Sequence, residues 1–381
     1  MYSKEAYNDL LRNIVRNIDI SDEMFEAAEA TYKNLGAWID KETPDYEISI
    51  YPQGSFALGT VVCPISNADD YDLDIVCQFR QRYGLTAREL KIDVVKPLLV
   101  RYKKASNDIK EKRRCWHVEY DDVPHFHMDV IPAYALSHTI QITDHNEELD
   151  EYCYLGSNPY GYTKWFFDVC AKQRERLYNQ YVKEHRMVVA QADLEEVKRR
   201  KVKTPLQRVV QILKRHRDVM FAGDNSGSKP ISIIITTLSG RLYNNEDNIY
   251  DALNNILTNA PAWIMDNRRN GLYYIENPSY AGENFADKWN THPDRASAFF
   301  AWLNQAHKEL VDERLLNYSR VEMGNHIKRC FGDKTGNDVF NKEAELRRAA
   351  IMTGALKVDT ATGNLSKNGT IEVPPAHHFG A

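Results

Sequence analysis

Two aspartates inside a strand-like stretch constrain this chain more than any other feature. Residues Tyr71–Phe79 alternate well enough for a β-strand, so Asp72 and Asp74 project from the same face. Two carboxylates side by side on a strand repel each other unless a cation lies between them. Carboxylate oxygens at this spacing suit Mg²⁺, which takes one or two carboxylates and leaves room for substrate phosphates. The stretch therefore predicts a strand that carries a magnesium site.

A Gly-Ser pair lies upstream of these aspartates. Gly54 and Ser55 follow a short apolar run, Tyr46–Tyr51, and precede Phe56. Small residues here would let backbone N–H groups and the Ser55 hydroxyl approach a phosphate at a helix start. No Gly-Lys-Ser/Thr follows, which excludes a Walker phosphate loop. Either motif alone is most often a turn or a solvated strand end, but the two in order, each beside a strand, indicate a nucleotide site.

The order Gly-Ser, spacer and Asp-x-Asp resembles the signature of the polymerase-beta-like nucleotidyltransferase superfamily. The resemblance implies a third carboxylate on a later strand, and Asp129 is the candidate. The alternation of His125–Ile131 places His125, His127 and Asp129 on one face. An acidic residue in so apolar a strand needs a partner if it is buried, either a metal ion or a basic side chain, and the histidines read as ordinary half-exposed strand residues. The predicted catalytic and metal-binding residues are Asp72, Asp74 and Asp129.

The composition is that of an ordinary globular chain with room for two domains. Its 381 residues are 43% hydrophobic and 27% charged, enough for each domain to bury its own core. No apolar run approaches the roughly 18 residues of a membrane span, and residues 1–20 lack a secretory signal. The six cysteines show no CxxC spacing, so neither a zinc site nor a disulfide framework is indicated. A reduced, cytoplasmic location is the expectation.

Charge is distributed unevenly along the chain. The formal net charge of −5 argues against a protein that coats nucleic acid. The segment Lys172–Arg217 is nevertheless basic, and Lys198–Lys203 is its densest part. Such a run is most often a solvated face or loop. The alternatives are a positive rim beside a triphosphate site, or a surface for a partner or RNA.

Hydrophobic periodicity predicts the order of the elements. Helices are expected over residues 3–40, with a new helix capped at Ser21, and a mixed α/β region follows from Tyr46 to about Asp150. Thr204 is a good helix cap. The remaining expected elements are a helix over 87–102, strands over 114–120 and 125–131, a turn at 158–161, and helices over 163–182, 205–219, 231–242, 249–258 and 286–315, the last with a break at His292-Pro293.

The second half of the chain carries further motifs that narrow the family. Together with the aspartates they resemble those of the bacterial cGAS/DncV-like nucleotidyltransferases, over roughly residues 1–315. The matching stretches are Gln53–Thr60, Asp70–Asp74, Asp129 with Ile131-Pro132, Leu213–Asp218, Lys229–Ser232, Asn277-Pro278 and Glu283–Trp289. One departure is the spacer between Ser55 and Asp72, which is longer than in many nucleotidyltransferases and implies a longer loop.

This resemblance implies an α+β fold: a polymerase-beta-like core of a mixed sheet with flanking helices, followed by a helical domain. The active site would lie in the cleft between the two. The expected segments are N-terminal helices over 1–45, the nucleotidyltransferase core over 46–203, the helical domain over 204–330 and a partly flexible C-terminal segment over 331–381.

The implied activity is synthesis of a cyclic di- or trinucleotide from nucleoside triphosphates in CBASS anti-phage signalling. ATP, GTP or both are the expected substrates, with pyrimidine triphosphates left open. Two Mg²⁺ ions, with Mn²⁺ as a substitute, would be held by the aspartates, one by all three and the other by Asp72 and Asp74. The implied nucleotide-binding residues are Gln53, Gly54, Ser55, Lys214 and Ser232, the last of which is otherwise only a helix cap.

The sequence and the resemblance also predict which partners the protein needs. No Cys/His cluster could build the zinc-binding thumb of the animal DNA sensors, so DNA is not expected to be required, nor a membrane. A monomer is expected, and an accessory protein at the tail Pro374–Ala381 is left open. The alternatives are a template-independent transferase acting on RNA ends or a small acceptor, and a degenerate, non-catalytic nucleotide-binding module.

Overall fold

The computed structural model describes residues 2–65, 71–80, 84–103, 108–120, 126–185, 202–353, 357–358, 365–366 and 371–372. Four predicted features lie wholly or partly outside these residues: Asp70, His125, the basic run up to residue 201 and the tail Pro374–Ala381. In the described part of the chain, no helix combines the length and hydropathy that a membrane crossing requires.

The N-terminal half alternates helices and strands around one sheet. Its helices are α1 (Lys4–Ile18), α2 (Asp22–Glu42), α3 (Gly54–Leu58), a π-helix (Glu89–Val95) that continues into α4 (Lys96–Lys103), α5 (Pro159–Val169) and α6 (Ala171–His185). Its strands are β1 (Ile48–Pro52), β2 (Tyr71–Phe79), β3 (Ile109–Glu111), β4 (Trp116–Glu119), β5 (Phe126–Ala135), β6 (Ile140–Asn146) and β7 (Glu151–Ser157).

The C-terminal half is helical up to its last described strands. Its helices are α7 (Pro205–Met220), α8 (Ser232–Leu242), α9 (Ile249–Asp266), α10 (Pro293–Leu310), α11 (Arg320–Phe331) and α12 (Asp333–Met352), with 3₁₀ turns at Asp287–Asn290 and Glu313–Asn317. The strands β8 (Lys357–Val358), β9 (Leu365–Ser366) and β10 (Ile371–Glu372) pair with one another.

The strands β1 to β7 form one mixed sheet among the described residues, with the order β1-β2-β5-β4-β3 and with β6 joining β5 to β7. Strands β2 and β5 are parallel neighbours, whereas the other pairs in this sheet are antiparallel. This mixed sheet with flanking helices, followed by a helical region, confirms the predicted fold class.

Two large hydrophobic cores stabilise the described part of the chain. One face of the sheet, including Leu73, Ile75 and Val130, packs with α2 and α4. The second core is helical and gathers apolar side chains from α1, α5 and α7 to α11. Thus α1 packs with the helical core while α2 covers the sheet, and the exact domain boundaries stay a prediction.

Local sequence signals located several elements correctly. The strand Tyr71–Phe79 is confirmed, and Ser21 caps α2 by accepting a hydrogen bond from the Met24 N–H. Thr204 caps α7 in a reciprocal capping box with Gln207, as the Thr-Pro pair predicts.

The expected turn at 158–161 is wrong, and the helix expected over 163–182 is divided into two helices. Asn158 is instead the N-cap of α5, its side chain accepts from the Gly161 N–H, and Pro159 occupies the first helical position. A proline at this position suits a helix start because its missing N–H has no partner there anyway. The helix then ends at Cys170, and α6 begins at Ala171.

Two other helices differ in form or length from the expectation. The helix over 87–102 begins as a π-helix and becomes α-helical at Lys96, next to Pro97, whose ring suits a first helical turn. The helix that was expected over 249–258 continues to Asp266, with Pro261 inside it.

Candidate active site

The sheet register brings the three predicted aspartates together. Asp74 on β2 lies directly opposite Asp129 on the parallel strand β5. Asp72 is two residues before Asp74 and therefore on the same face. Because neighbouring strands lie about 4.8 Å apart, the carboxylates form one acidic patch on the face turned away from the sheet's own core. This is the arrangement that the sequence predicted.

The electrostatics of this patch reflect its crowding. Burial, together with the charges of Asp129 and Asp72, raises the pKa of Asp74 to about 7. Burial also favours neutral Asp72, but a hydrogen bond from His127 and the nearby cationic groups outweigh it and lower the pKa of that carboxyl. Carboxylates that destabilise one another's charge are a natural binding site for a cation.

The Gly-Ser turn lies against the same patch. The backbone N–H of Gln53 donates to the Asp74 carbonyl at 2.8 Å, which ties the end of β1 to β2. Gly54 then adopts a left-handed φ of +59° and starts α3, the helix that includes Ser55. A Cβ atom at Gly54 would lie 2.6 Å from Oδ2 of Asp74. The glycine is therefore required both by the backbone and by the carboxylate beside it.

Side chains of α7 hold the chain that follows α3. The side-chain amide of Gln207 donates to the Leu58 carbonyl at 2.9 Å, and that of Gln211 to the Val61 carbonyl at 2.7 Å. Lys214 Nζ donates to the Thr60 carbonyl at 3.1 Å. These bonds fix the Gly-Ser turn relative to the helical half of the molecule.

Lys214 is a buried cation of α7. Burial and the charge of Arg217 lower the pKa of its ammonium group to about 8, while Asp218, Asp72 and Asp74 act in the opposite direction. Lys214 is thus within electrostatic reach of Asp72 and Asp74, and its contact to phosphate stays a prediction.

Ser232 begins α8 and is held by α7. Arg217 donates to the Ser232 hydroxyl at 2.8 Å and to the Pro230 carbonyl at 2.9 Å. Asp218 in turn accepts from Lys229 at 2.7 Å. The two sequence motifs of this region thus form one polar network, and Ser232 is already engaged by a charged donor.

Two histidines of the site were not predicted as functional residues. His127 Nε2 lies 2.5 Å from Oδ1 of Asp72, and His117 Nδ1 lies 2.8 Å from Oδ1 of Asp129. The register explains both contacts, because His127 is opposite Asp72 and His117 is opposite Asp129. The alternation of β5 put His127 on the correct face, but no local signal reveals that β4 pairs beside it.

Asp129 has basic neighbours as well as acidic ones. Lys112 Nζ is 3.5 Å from Oδ1 of Asp129. This aspartate therefore also has the basic partner that the sequence predicted as the alternative to a metal ion. The Lys112 side chain is 48% exposed, and a long exposed lysine can turn away into solvent. The oxygen donors of Asp72, Asp74 and Asp129 fit a hard divalent cation, which prefers carboxylates.

The mixed sheet carries three carboxylates on two adjacent strands, and a Gly-Ser helix start lies against one of them. This combination is typical of nucleotidyltransferases of the polymerase-beta-like fold. Residues 5–169 match the model of the Second Messenger Oligonucleotide or Dinucleotide Synthetase domain. This match supports the predicted resemblance to the cGAS/DncV-like nucleotidyltransferases.

Two relatives that are named as cyclic dinucleotide synthases are similar to this chain over most of their length. A c-di-GMP synthase of Roseivirga ehrenbergii is 27% identical over 360 residues, which are 92% of this chain and 89% of the relative. The cyclic dinucleotide synthase CdnG of Bradyrhizobium diazoefficiens is 22% identical over 85% of this chain and 80% of the relative. The structure of that CdnG in complex with GTP matches with a TM-score of 0.69 and 20% identity, over 88% of this chain and 98% of the other.

Proposed function

We propose that this protein joins nucleoside triphosphates into a cyclic di- or trinucleotide second messenger and releases pyrophosphate. The pairing of Asp74 with Asp129 across β2 and β5, with Asp72 on the same face, carries the proposal. The relatives whose names describe cyclic dinucleotide synthesis support it along nearly their whole length.

The proposed mechanism follows from where negative charge develops. In phosphoryl transfer this charge is shared by the attacking hydroxyl, the non-bridging oxygens and the leaving pyrophosphate. The three aspartates would hold two divalent cations, Mg²⁺ or Mn²⁺. When bound, such cations lower the pKa of the attacking hydroxyl and stabilise the leaving group.

The residues around the aspartates would bind and orient the triphosphate. We assign Gln53, Gly54 and Ser55 to its phosphates, because this turn is fixed to β2 beside Asp74. Lys214 would add a buried positive charge. Ser232 can donate its hydroxyl proton to a phosphate or base while it accepts from Arg217.

The proposal also covers the location, oligomeric state and partners of the protein. We expect a monomeric, cytoplasmic enzyme of CBASS anti-phage signalling that needs neither DNA nor a membrane. An accessory protein would bind at the C-terminal tail. The helical half would provide one wall of the cleft in which a linear intermediate reorients before ring closure.

Incubation with radiolabelled nucleoside triphosphates tests the proposal. The purified chain is given each of the four α-³²P-labelled triphosphates, alone and in pairs, with Mg²⁺ or Mn²⁺ and no acceptor. After phosphatase treatment and thin-layer chromatography, a resistant product is expected, and the productive pair identifies the bases. A product that forms only after RNA or a small acceptor is added would overturn cyclisation and favour an acceptor transferase instead.

A further inference from the structure

Two rows of polar side chains cross three neighbouring strands of the sheet. One row runs Asp74, Asp129, His117 across β2, β5 and β4, and the other runs Asp72, His127, Glu119 across the same strands. The acidic patch therefore continues into a pair of histidines. Their ring centres lie 4.2 Å apart.

Three members of these rows converge on one point. A nitrogen of His117, a nitrogen of His127 and a carboxylate oxygen of Asp129 all lie within 4.8 Å of one another. We infer that these three residues form a binding site for a Zn²⁺-like transition-metal ion, which shares Asp129 with the catalytic carboxylates.

The donor set and its spacing support this inference. Imidazole nitrogens suit zinc and its neighbours, whereas Mg²⁺ prefers oxygen ligands alone. With metal–ligand distances of about 2.0–2.1 Å and tetrahedral geometry, two ligand atoms of one zinc ion lie about 3.3–3.4 Å apart. His117 Nδ1 and Asp129 Oδ1 lie 2.8 Å apart, a hydrogen-bond distance that would widen slightly when both atoms bind one ion. Both histidines are half-buried, which holds their rings in place.

A carboxylate also lies near the other ring nitrogen of His117. Ligating histidines usually present their second ring nitrogen to a carboxylate, which orients the ring. Glu119 Oε1 lies 3.9 Å from Nε2 of His117, so a small shift of this carboxylate would be needed for it to accept a hydrogen bond from the ring. Lys112 would have to move, because its exposed ammonium lies 3.5 Å from Asp129.

A second cluster of potential ligands in the described residues, His216, Glu309 and Cys330, does not support a metal site. The indole N–H of Trp302 donates to His216 Nδ1 at 3.1 Å. Because indole can only donate, this bond leaves the proton of neutral His216 on Nε2, facing Glu309. The nitrogen that faces the cluster therefore carries a proton instead of a lone pair.

This inference rests on the proposed function, because the zinc site would share Asp129 with the catalytic carboxylates. A zinc ion at this site would draw Asp129 away from the catalytic cations. Micromolar Zn²⁺ should therefore inhibit cyclic nucleotide synthesis even at millimolar Mg²⁺. Binding of Zn²⁺ itself requires no triphosphate, so it can be measured separately from activity.

Equilibrium competition between the full chain and a chromophoric zinc chelator tests the site. Two variants preserve the polar contacts of the aspartates while they remove the imidazoles. His117→Asn keeps an N–H group near Asp129, and His127→Gln keeps one near Asp72. The wild-type protein is expected to bind Zn²⁺ at least a hundredfold more tightly than Mg²⁺, and each variant should bind Zn²⁺ at least tenfold more weakly than the wild type.

His145→Asn is the matched control, since His145 is also a half-buried strand histidine with carboxylate neighbours, Glu111 and Asp150. It should keep wild-type zinc affinity, and circular dichroism should show all variants folded. Unchanged zinc affinity in both site variants, or zinc binding no tighter than that of Mg²⁺, would overturn the inference. Zinc binding as expected without any cyclic product would reject the proposed function and leave the metal site standing.

Discussion

Gly54 and Asp74 lie in direct contact, although twenty residues separate them in the chain. The hydrogen bond from the Gln53 N–H to the Asp74 carbonyl holds the two strands in register at this point. The left-handed φ of Gly54 then brings its Cα against the Asp74 carboxylate. The Gly-Ser turn and the first acidic strand are therefore one structural unit.

Gly54→Ala should abolish most of the activity without unfolding the protein. The new methyl group would lie 2.6 Å from Asp74 Oδ2 and displace that carboxylate. Displacement of one electrostatic group at an active site costs roughly a hundredfold or more in rate. Steady-state product formation by chromatography measures the loss.

Gly223→Ala provides the control for backbone strain. Gly223 also has a positive φ, +77°, but a Cβ there meets nothing within 4 Å. Both substitutions carry the cost of a left-handed alanine, roughly 1–2 kcal/mol. Equal activity in the two variants would show that the contact with Asp74 does not matter.

Lys214→Met should lower kcat/KM for triphosphate by roughly tenfold or more, since a hydrogen bond to a charged group is worth about 1.5–3 kcal/mol. The buried ammonium group is held at the Thr60 carbonyl, within electrostatic reach of Asp72 and Asp74. Lys164→Met is the control, because Lys164 is exposed and pairs with Asp168 within α5. Wild-type kinetics for Lys214→Met would remove this residue from the site.

Glu309 should make the stability of the fold depend on pH in the acid range. A hydrogen bond from His216 lowers the pKa of Glu309 to about 2, from an ordinary value of 4.5. A carboxyl with a depressed pKa stabilises the fold fully above its unfolded value, and this contribution is lost as pH falls toward the folded value. The loss is therefore expected as pH decreases from about 4.5 to about 2.

Urea unfolding of the wild type and Glu309→Gln at pH 6, 4 and 3 measures this effect. The difference in unfolding free energy between the two proteins should shrink as the pH decreases, because neutral glutamine mimics protonated glutamate. A difference that stays constant across this range would contradict the role given to the His216–Glu309 bond.

Local signals in the sequence were sufficient for the elements that carry the motifs. The alternation of Tyr71–Phe79 predicted the strand on which Asp72 and Asp74 share a face, and the Thr204 cap predicted the start of α7. Both signals are encoded within a few residues. Asp129 was found because the resemblance to a known family implied a third carboxylate.

Contacts between segments that are far apart in the chain could not be predicted from local sequence patterns. The position of His117 beside Asp129 depends on the pairing of β4 with β5, which short-range periodicity does not encode. The same holds for the bonds from Gln207 and Gln211 to the backbone that follows α3. The start of α5 was missed because Asn158-Pro159 suits a turn as well as a helix cap.

The most direct test of the central claim is the rate of cyclic nucleotide formation by Asp72→Asn, Asp74→Asn and Asp129→Asn. Asp168→Asn serves as the exposed control on α5. If the three carboxylates act together on divalent cations, each substitution should reduce the rate at least a hundredfold, by analogy with the roughly 2.7 kcal/mol lost with one electrostatic stabiliser. The control should keep the wild-type rate. Near-normal turnover by any of the three site variants, in a correctly folded protein, would contradict the account.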